Sequence, residues 1–319
     1  MTLLEVKDLN ISYQTDAGIF PAVRNVSFSI EKGKSLGIIG ESGCGKTTIG
    51  MGILQLLPEN AKIESGSIIF KGSDLVTFSE EKLCDIRGAD ISMIFQAAMN
   101  SLNPVQRVGD QIVEAIQIHD HNISKNDAIT DVKRLFMEVG LSPERLNDFP
   151  HQYSGGMKQR AIIAMSMACE PSLVIADEPT TALDMVVQKQ ILIQLRKIQQ
   201  ERNVTVILIS HDIGVVSEIC HNLAVMFKGE ILEYGTKEEI LKKPVHPYTQ
   251  MLMSSYLVFG KTIELPEFKR HNSVSSSTDS HSGNGYYHTC ATADEKCKLT
   301  EPFWQEITKT HKVRCSPCS

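Results

Sequence analysis

Hydrophobic and polar residues follow patterns along the chain that change from strand-like to helix-like and back. Residues 4–9 and 23–30 alternate apolar and polar side chains, which is typical of half-buried antiparallel strands. Six short apolar runs have the length of buried strands, at residues 36–39, 67–70, 91–95, 173–176, 204–209 and 223–227. Helical segments separate the later runs, and strand–helix–strand alternation predicts a parallel α/β sheet.

Helical spacing dominates two stretches. Residues 47–57 predict a helix that Pro58 ends. Residues 97–165 predict a mostly helical insert, because two sets of apolar residues recur at helical spacing: Val108, Ile112, Ala115 and Ile116, then Val132, Leu135, Phe136 and Val139. Past about residue 260 we expect no regular structure, and residues 271–285, rich in Ser, Gly and Asn, are typical of a linker or loop.

Composition narrows the class of protein. The chain has 319 residues, 42% of them hydrophobic and 22% charged, which suits a globular protein of one or two domains. Its net charge of −6 gives no electrostatic support for binding nucleic acid. No apolar run approaches the roughly 18 residues of a membrane span, and Glu5 and Lys7 lie where a signal peptide needs an apolar core. We therefore expect a cytosolic protein that needs a partner for any role at a membrane.

Residues 40–47, which read GESGCGKT, fit the phosphate-binding pattern G-x-x-x-x-G-K-[ST]. An apolar strand precedes them and a helix follows, as that pattern requires; the alternative is a chance glycine turn. Glycines let backbone N–H groups approach phosphate oxygens, and the helix offers its positive N-terminal end. Lys46 would contact the β- and γ-phosphates, and the Thr47 hydroxyl would contact Mg²⁺. The candidate nucleotide-binding residues here are Gly40, Ser42, Gly43, Cys44, Gly45, Lys46, Thr47 and Thr48.

Two acids follow the apolar run at residues 173–176. Asp177 would complete the shell of Mg²⁺, and Glu178 would lie beside the γ-phosphate and polarise the attacking water as general base. Taken alone, such a pair is more often a solvated loop. The glycine-rich loop upstream favours the nucleotide-binding interpretation.

A second candidate anion site lies at residues 153–160, YSGGMKQR, just before a helical run. Ser154, Gly155 and Gly156 offer a hydroxyl, unhindered backbone and a helix N-terminus. Two phosphate-binding helix ends in one chain suggest a shared nucleotide. This stretch resembles the signature motif of the ATP-binding-cassette ATPases, a group of P-loop NTPases, and the resemblance covers roughly residues 3–260.

The resemblance implies roles for further residues that occur in the family's order. Tyr13 would stack on adenine, Gln96 would be the Q-loop glutamine and an Mg²⁺ ligand, and residues 182–184, with Asp184, would form the D-loop. His211 would act with Glu178 and Gln96 in catalysis. Alone, each has a plainer interpretation, such as a surface tyrosine or a helix-capping histidine. In this family two ATPase subunits bind head to tail and enclose ATP between the phosphate loop of one and the signature motif of the other.

Two stretches resemble one branch of the family, the oligopeptide/dipeptide/nickel importers: residues 95–104 (FQAAMNSLNP) and 246–250 (HPYTQ). The branch implies a second, different ATPase subunit, two transmembrane permease subunits, a solute-binding protein outside the membrane, and a peripheral position on its cytoplasmic face. Peptides are the expected cargo, with nickel or a metal chelate as the alternative. A soluble cassette ATPase of translation or DNA repair is disfavoured by the single cassette and short insert.

Four cysteines crowd the last thirty residues: Cys290, Cys297, Cys315 and Cys318. Clustered cysteines in a cytosolic chain favour metal binding over disulfides. The branch often ends in a four-cysteine segment that holds an iron–sulfur cluster, but Asn284 stands where its first cysteine is expected. We expect Cys318 to replace that ligand in a [4Fe–4S] cluster, with structural zinc or no metal as alternatives, and we favour a structural over a redox role.

These observations predict an α/β fold with a P-loop NTPase core, an antiparallel β flank, a helical insert and a small cysteine-rich C-terminal extension. Residues 1–97 and 166–260 would form a RecA-like nucleotide-binding core with the β subdomain. Residues 98–165 would form the helical subdomain with the signature motif, and residues 261–319 the extension with the metal cluster.

Overall fold

The computed structural model describes residues 1–96, 98, 101–181, 183–255, 286, 290, 297 and 301–315. Its first sheet is antiparallel and has the strand order β2-β1-β4-β5. The four strands are β1 (Thr2–Thr15), β2 (Gly18–Glu31), β4 (Ala61–Phe70) and β5 (Ser73–Asp74). The predicted antiparallel pair at the start of the chain is confirmed, with longer strands than the alternation indicated.

The second sheet has eight strands in the order β11-β12-β10-β9-β3-β8-β7-β6. They are β3 (Ser35–Ile39), β6 (Ile91–Ile94), β7 (Leu173–Asp177), β8 (Thr205–Ser210), β9 (Asn222–Phe227), β10 (Glu230–Thr236), β11 (Phe303–Glu306) and β12 (Lys312–Cys315). From β9 to β6 all neighbours are parallel. Loops that follow β3, β6, β7 and β8 therefore leave the sheet at one edge, where ligands bind in such folds.

The helices lie mainly between the parallel strands and in the predicted insert. They are α1 (Lys46–Ile53), α2 (Glu80–Ile86), α3 (Val108–His119), α4 (Lys125–Glu138), α5 (Gly155–Ser166), α6 (Met185–Arg202), α7 (Ile213–Ile219), α8 (Lys237–Lys242) and α9 (Pro247–Ser255). Short 3₁₀ turns occur at Leu75–Thr77, Pro143–Asn147 and Pro150–Gln152. Helix α1 ends earlier than predicted, because Gln55 turns into the left-handed region at φ 53°.

Both faces of the large sheet are buried. On β8, Val206 and Leu208 pack into a core shared with the helices α3 to α7. The alternate residues Ile207 and Ile209 pack into a second core with α1 and the antiparallel sheet. Burial on both sides explains why these strands show as continuous apolar runs in the sequence.

The prediction of an irregular chain past residue 260 is wrong for the last described stretch. Strands β11 and β12 form a hairpin that joins the large sheet, with Glu233 of β10 opposite Val313 and Tyr234 opposite Lys312. The C-terminal hairpin, defined here as residues 303–315, is thus an edge of the main sheet. Its strands have four residues each and carry charged side chains, so alternation alone does not reveal them. The predicted linker at residues 271–285 lies outside the described residues.

Candidate functional site

The phosphate loop leaves β3 and enters α1 through backbone conformations that suit glycine. Gly45 caps α1 with φ 104°, and no side chain caps that helix end. A Cβ at Gly45 would lie 2.3 Å from the carbonyl oxygen of Ala22, and one at Gly40 would lie 2.1 Å from that of Met226. Glycine is therefore required at both positions. Because no side chain caps α1, the first N–H groups of this helix remain available to bind an anion.

Lys46 lies almost wholly inside this loop, at 6% exposure. Its Nζ donates to the carbonyl oxygens of Gly40 at 2.8 Å and Glu41 at 2.7 Å. An ammonium group carries three donors, and the third is directed at Sγ of Cys44, a weak acceptor that a phosphate oxygen would replace. Cys44 is buried beside the ammonium, with its Sγ 3.7 Å from Nζ. Burial raises the pKa of the Cys44 thiol against the opposing effect of Lys46, so this thiol stays protonated.

Asp177 ends β7 at 1% exposure. Burial raises the pKa of its carboxyl, and the neighbouring Glu178 adds to this, while a hydrogen bond from Thr47 and the charge of Lys46 act in the opposite direction. Its Oδ1 has no hydrogen-bond partner within the described part of the chain. A buried carboxylate oxygen with spare capacity beside a hydroxyl is the oxygen donor set that Mg²⁺ prefers, so these residues fit that ion.

Glu178 holds together the three residues predicted to be catalytic. Its Oε1 lies 2.8 Å from Nδ1 of His211, and its Oε2 accepts hydrogen bonds from Nε2 of Gln96 and Oγ1 of Thr181, each at 3.0 Å. Burial opposes ionisation, but the bonds from His211 and Thr181 outweigh it and lower the pKa of Glu178. The carboxylate is therefore ionised and able to accept a proton. Thr181 was missed by sequence reasoning, because nothing in its local pattern marks it.

The backbone of Glu178 is unusual as well. The residue has φ 45°, a left-handed conformation that costs a non-glycine residue about 1–3 kcal/mol. Its N–H donates to the carbonyl oxygen of Ile209 on β8 at 2.9 Å, which helps to hold this conformation. The side chain of His211, which contacts Glu178, is 62% exposed. The group formed by Glu178, His211 and Gln96 is therefore accessible to a ligand on that side. Strained backbone of this kind is concentrated at functional sites.

Tyr13, predicted to stack on adenine, lies half-buried on β1. Its hydroxyl is 3.2 Å from Oγ1 of Thr48 in the first turn of α1. This contact ties the antiparallel sheet to the helix that follows the phosphate loop. Tyr13 therefore lies beside the first turn of α1, the helix that follows the phosphate loop.

The predicted signature residues lie at the start of a different helix from the one that follows the phosphate loop. Ser154 caps α5, whose first two residues are Gly155 and Gly156, and its Oγ accepts a backbone N–H at 3.3 Å. Asp184 caps α6 and accepts two backbone N–H groups at 2.9 and 3.1 Å. A Cβ at Gly156 would lie 2.6 Å from Cγ1 of Val187, so the two helix starts pack closely. Ser154 and Gly155 are exposed at this helix start.

Only part of the predicted metal-ligand set in the tail lies among the described residues. Cys290, Cys297 and Cys315 are described, whereas Cys318 and Asn284 lie outside the described residues, as does Ala182 of the predicted D-loop. No three His, Cys, Asp or Glu residues of the described part form a group that could hold a metal ion. The predicted iron–sulfur or zinc site therefore has no support from these residues.

A further residue near the phosphate loop was not predicted as functional. Tyr248, on α9, is fully buried, and its hydroxyl accepts the N–H of Glu41 at 3.3 Å. The sequence HPYTQ, which contains Tyr248, indicated only a resemblance to one branch of the family.

Among the described residues, no helix is long and apolar enough to cross a membrane.

Comparison with known proteins gives two matching families. The family described as ABC transporter matches residues 23–181, and the one described as oligopeptide/dipeptide transporter, C-terminal region, matches residues 232–297. The chain is 47% identical over 264 residues to the dipeptide transport ATP-binding protein DppD of Lactococcus lactis subsp. cremoris. The aligned region covers 82% of this chain and 76% of that protein.

The oligopeptide transport ATP-binding protein OppD of Bacillus subtilis is also 47% identical, over 256 residues, with 79% of this chain and 71% of that protein covered. Among solved structures, a dimeric ATP-binding cassette in a post-hydrolysis state, bound to ADP and Pi, superposes with a TM-score of 0.67 at 26% identity. That match covers 74% of this chain and 99% of the cassette. The chain therefore belongs to the ABC transporter family, as an ATPase cassette with the C-terminal region of the oligopeptide/dipeptide transporters.

Proposed function

We propose that this chain couples ATP hydrolysis to the import of dipeptides and oligopeptides. The observation that carries the proposal is the group formed by Glu178, His211 and Gln96 at the sheet edge where the phosphate loop begins. The relatives named for dipeptide and oligopeptide transport support the cargo.

The phosphates of ATP would lie on the uncapped start of α1, with Lys46 directed by the loop's own carbonyl oxygens. Thr47 and Asp177 would hold Mg²⁺, whose role is to neutralise phosphate charge, and Gln96 is close enough to Glu178 to join them. The adenine would lie against Tyr13. The remaining loop residues Gly40, Ser42, Gly43, Cys44, Gly45 and Thr48 would shape the cradle.

Glu178 would accept a proton from the attacking water as general base. The hydrogen bonds from His211, Gln96 and Thr181 fix the direction of its carboxylate, so little reorganisation is needed at the moment of reaction. The bonds from His211 and Thr181 also lower the pKa of Glu178 and so weaken it as a base. Rearrangement of His211 toward a γ-phosphate would remove one of these bonds and strengthen the base.

A second subunit would complete the site. Ser154, Gly155 and Gly156 lie at a helix N-terminus where Ser154 and Gly155 are exposed, which suits contact with ATP held by a partner. Next to Asp184, the apolar side chains of Met185 and Val186 are 86% and 67% exposed, as expected for an interface. The similar solved cassette is a dimer. We favour a heterodimer over a homodimer, following the branch resemblance.

Membrane partners would supply the transport path. Phe95 and Val105 flank the start of the predicted helical subdomain, residues 98–165, and are 44% and 82% exposed. This surface would meet two permease subunits at the cytoplasmic face of the membrane, and Gln96 would be the hinge toward the core of residues 1–97 and 166–260. A solute-binding protein would deliver cargo from the other side.

The cargo is tested by uptake into vesicles that hold the full chain with its permease and partner ATPase. We expect ATP-dependent uptake of a labelled dipeptide, and its loss in Lys46→Ala, with nickel no better than background. Uptake of nickel that peptides do not compete with would favour the metal alternative. Absence of ATP-dependent uptake of either would contradict the import function.

For the tail, residues 261–319, we propose a [4Fe–4S] cluster held by Cys290, Cys297, Cys315 and Cys318, with zinc as the alternative. The clustering of four thiols in the last thirty residues supports it. Iron, sulfide and zinc are measured after anaerobic purification. Iron and sulfide near four each should fall in Cys318→Ser but not in Cys84→Ser, whose exposed thiol lies elsewhere. Metal-free protein would discard the cluster.

A further inference from the structure

The peptide unit that joins Gly40 to Glu41 in the phosphate loop is held on both sides. Its carbonyl oxygen, that of Gly40, accepts a hydrogen bond from Nζ of Lys46 at 2.8 Å, and its N–H, that of Glu41, donates to the hydroxyl of Tyr248 at 3.3 Å. Rotation of this peptide would move the carbonyl group that directs the ammonium. The orientation of Lys46 thus depends in part on a tyrosine about two hundred residues later in the sequence.

Tyr248 is itself immobilised by the surrounding core. It is fully buried, and its ring lies 4.7 Å from that of Phe227 and 5.6 Å from that of Tyr286, measured between ring centres. Burial, helped by the nearby charge of Glu41, raises the pKa of the Tyr248 hydroxyl, which therefore stays protonated and neutral. A neutral hydroxyl on a fixed ring is a rigid acceptor for the loop.

The helix that carries Tyr248 begins on a buried carboxylate. Glu233, in the middle of β10, is 0% exposed, and its two oxygens accept the N–H groups of Val245 at 2.8 Å and His246 at 2.9 Å. These residues directly precede α9, so the negative charge lies at the positive end of that helix. The Nδ1 of His246 then accepts the N–H of Tyr248 at 3.0 Å. Glu233 therefore fixes the position from which Tyr248 reaches the phosphate loop.

The third donor to Glu233 comes from the C-terminal hairpin. Nε2 of His311, which is 2% exposed, donates to Oε1 of Glu233 at 2.7 Å. A second carboxylate, Glu239 on α8, accepts the hydroxyls of Thr308 at 2.7 Å and Thr310 at 3.0 Å. The turn of the hairpin is thus held by two carboxylates, one of which also anchors α9.

We infer that Tyr248 is a positioning residue for the ATPase reaction, and that Glu233 makes its position depend on the docking of the C-terminal hairpin. When the C-terminal hairpin is docked on β10, it holds Glu233 and α9 in place, so the hydroxyl of Tyr248 stays bonded to the N–H of Glu41. The phosphate loop then keeps Lys46 directed toward the phosphates. Undocked, the carboxylate loses its histidine partner, α9 gains freedom, and the affinity for ATP falls. This inference rests on the proposed binding of ATP at Lys46.

The test is MgATP affinity by calorimetry, together with steady-state ATPase kinetics, on the purified full chain. Tyr248→Phe removes one hydroxyl and keeps the ring packing. Because one hydrogen bond to the loop is lost, we expect the Kd and KM for MgATP to rise about threefold to tenfold, with kcat changed by less than about twofold. The matched control is Tyr234→Phe on β10, which also removes one tyrosine hydroxyl, one that donates to the carbonyl oxygen of Ser29 at 3.2 Å and accepts from Asn222 at 3.2 Å. Its Kd should match that of the unmodified chain.

Coupling is tested by His311→Leu, alone and combined with Tyr248→Phe. We expect the single change to weaken MgATP binding, and the double variant to bind no more than about twofold more weakly than Tyr248→Phe, because both act on the same bond. If His311→Leu does not fold, Thr308→Val loosens the same hairpin more gently. Full additivity of the two changes would overturn the coupling.

Two other outcomes would also be decisive. An unchanged Kd in Tyr248→Phe, or an equal loss of affinity in Tyr234→Phe, would overturn the positioning role. Failure of the unmodified chain to bind MgATP would instead refute the proposed function, so the two failures are distinguishable.

Discussion

The buried carboxylate of Glu233 gives a sharp prediction about stability. In Glu233→Ala the N–H groups of Val245 and His246 and the imidazole of His311 all lose their acceptor, a carboxylate that is 0% exposed. Removing one partner of a buried pair of this kind costs about 3–5 kcal/mol. The whole free energy of unfolding of a protein is only about 5–15 kcal/mol, so the loss is a large fraction of it.

The assay is thermal unfolding of the full chain without nucleotide. At roughly 2 °C per kcal/mol for a protein of this size, Tm should fall by about 6–10 °C. The matched control is Glu306→Ala in the C-terminal hairpin, where the carboxylate pairs with Lys312 at 2.9 Å but is 69% exposed. An exposed pair contributes at most about 1 kcal/mol, so Tm should change by less than about 2 °C. A Glu233→Ala variant that melts within 2 °C of the unmodified chain would refute the reasoning.

Three further changes test other parts of the account. Lys46→Ala should weaken MgATP binding by about tenfold or more, because a charge-assisted bond to phosphate is lost; an unchanged Kd would remove Lys46 from the cradle. Ser154→Arg should leave MgATP binding intact but block dimer formation and turnover, and normal ATPase activity would argue against a shared site. Burial lowers the pKa of His246 to about 4, below its unfolded value, so its contribution to stability is present above about pH 6.5 and is lost as pH falls toward 4. In His246→Gln the free energy of unfolding should vary less with pH across that window, and an unchanged slope in urea titrations would contradict this.

Much of the candidate nucleotide site could be proposed from the sequence because its residues follow strands that are easy to recognise. The parallel strands β3 and β7 are buried on both faces, so they show as uninterrupted apolar runs, and Gly40 and Asp177 lie at or just beyond their ends. The carboxyl ends of neighbouring parallel strands meet at one edge of the sheet, which brings Glu178 and His211 together. The group of Glu178, His211 and Gln96 was predicted from a resemblance, and the structure brings these side chains into contact.

The rest depended on contacts between distant segments. Tyr248 reaches Glu41 across about two hundred positions. Thr181 is only three positions from Glu178, but its local sequence does not indicate that its hydroxyl donates to that carboxylate. The C-terminal hairpin has strands too short for a reliable alternation, and its pairing with β10 and the bond from His311 to Glu233 join segments far apart in the sequence. No local pattern encodes such pairings.

The central claim is that Glu178 activates water for ATP hydrolysis, and steady-state turnover in Glu178→Gln tests it most directly. The control is Glu170→Gln, since Glu170 also has a left-handed backbone, φ 53°, but a side chain that is 66% exposed and paired with Arg202 at 3.4 Å. The account predicts that Glu178→Gln binds MgATP normally while turnover falls by about 10²–10⁴-fold, and that Glu170→Gln keeps its turnover. Turnover in Glu178→Gln within about tenfold of the unmodified chain would contradict the account.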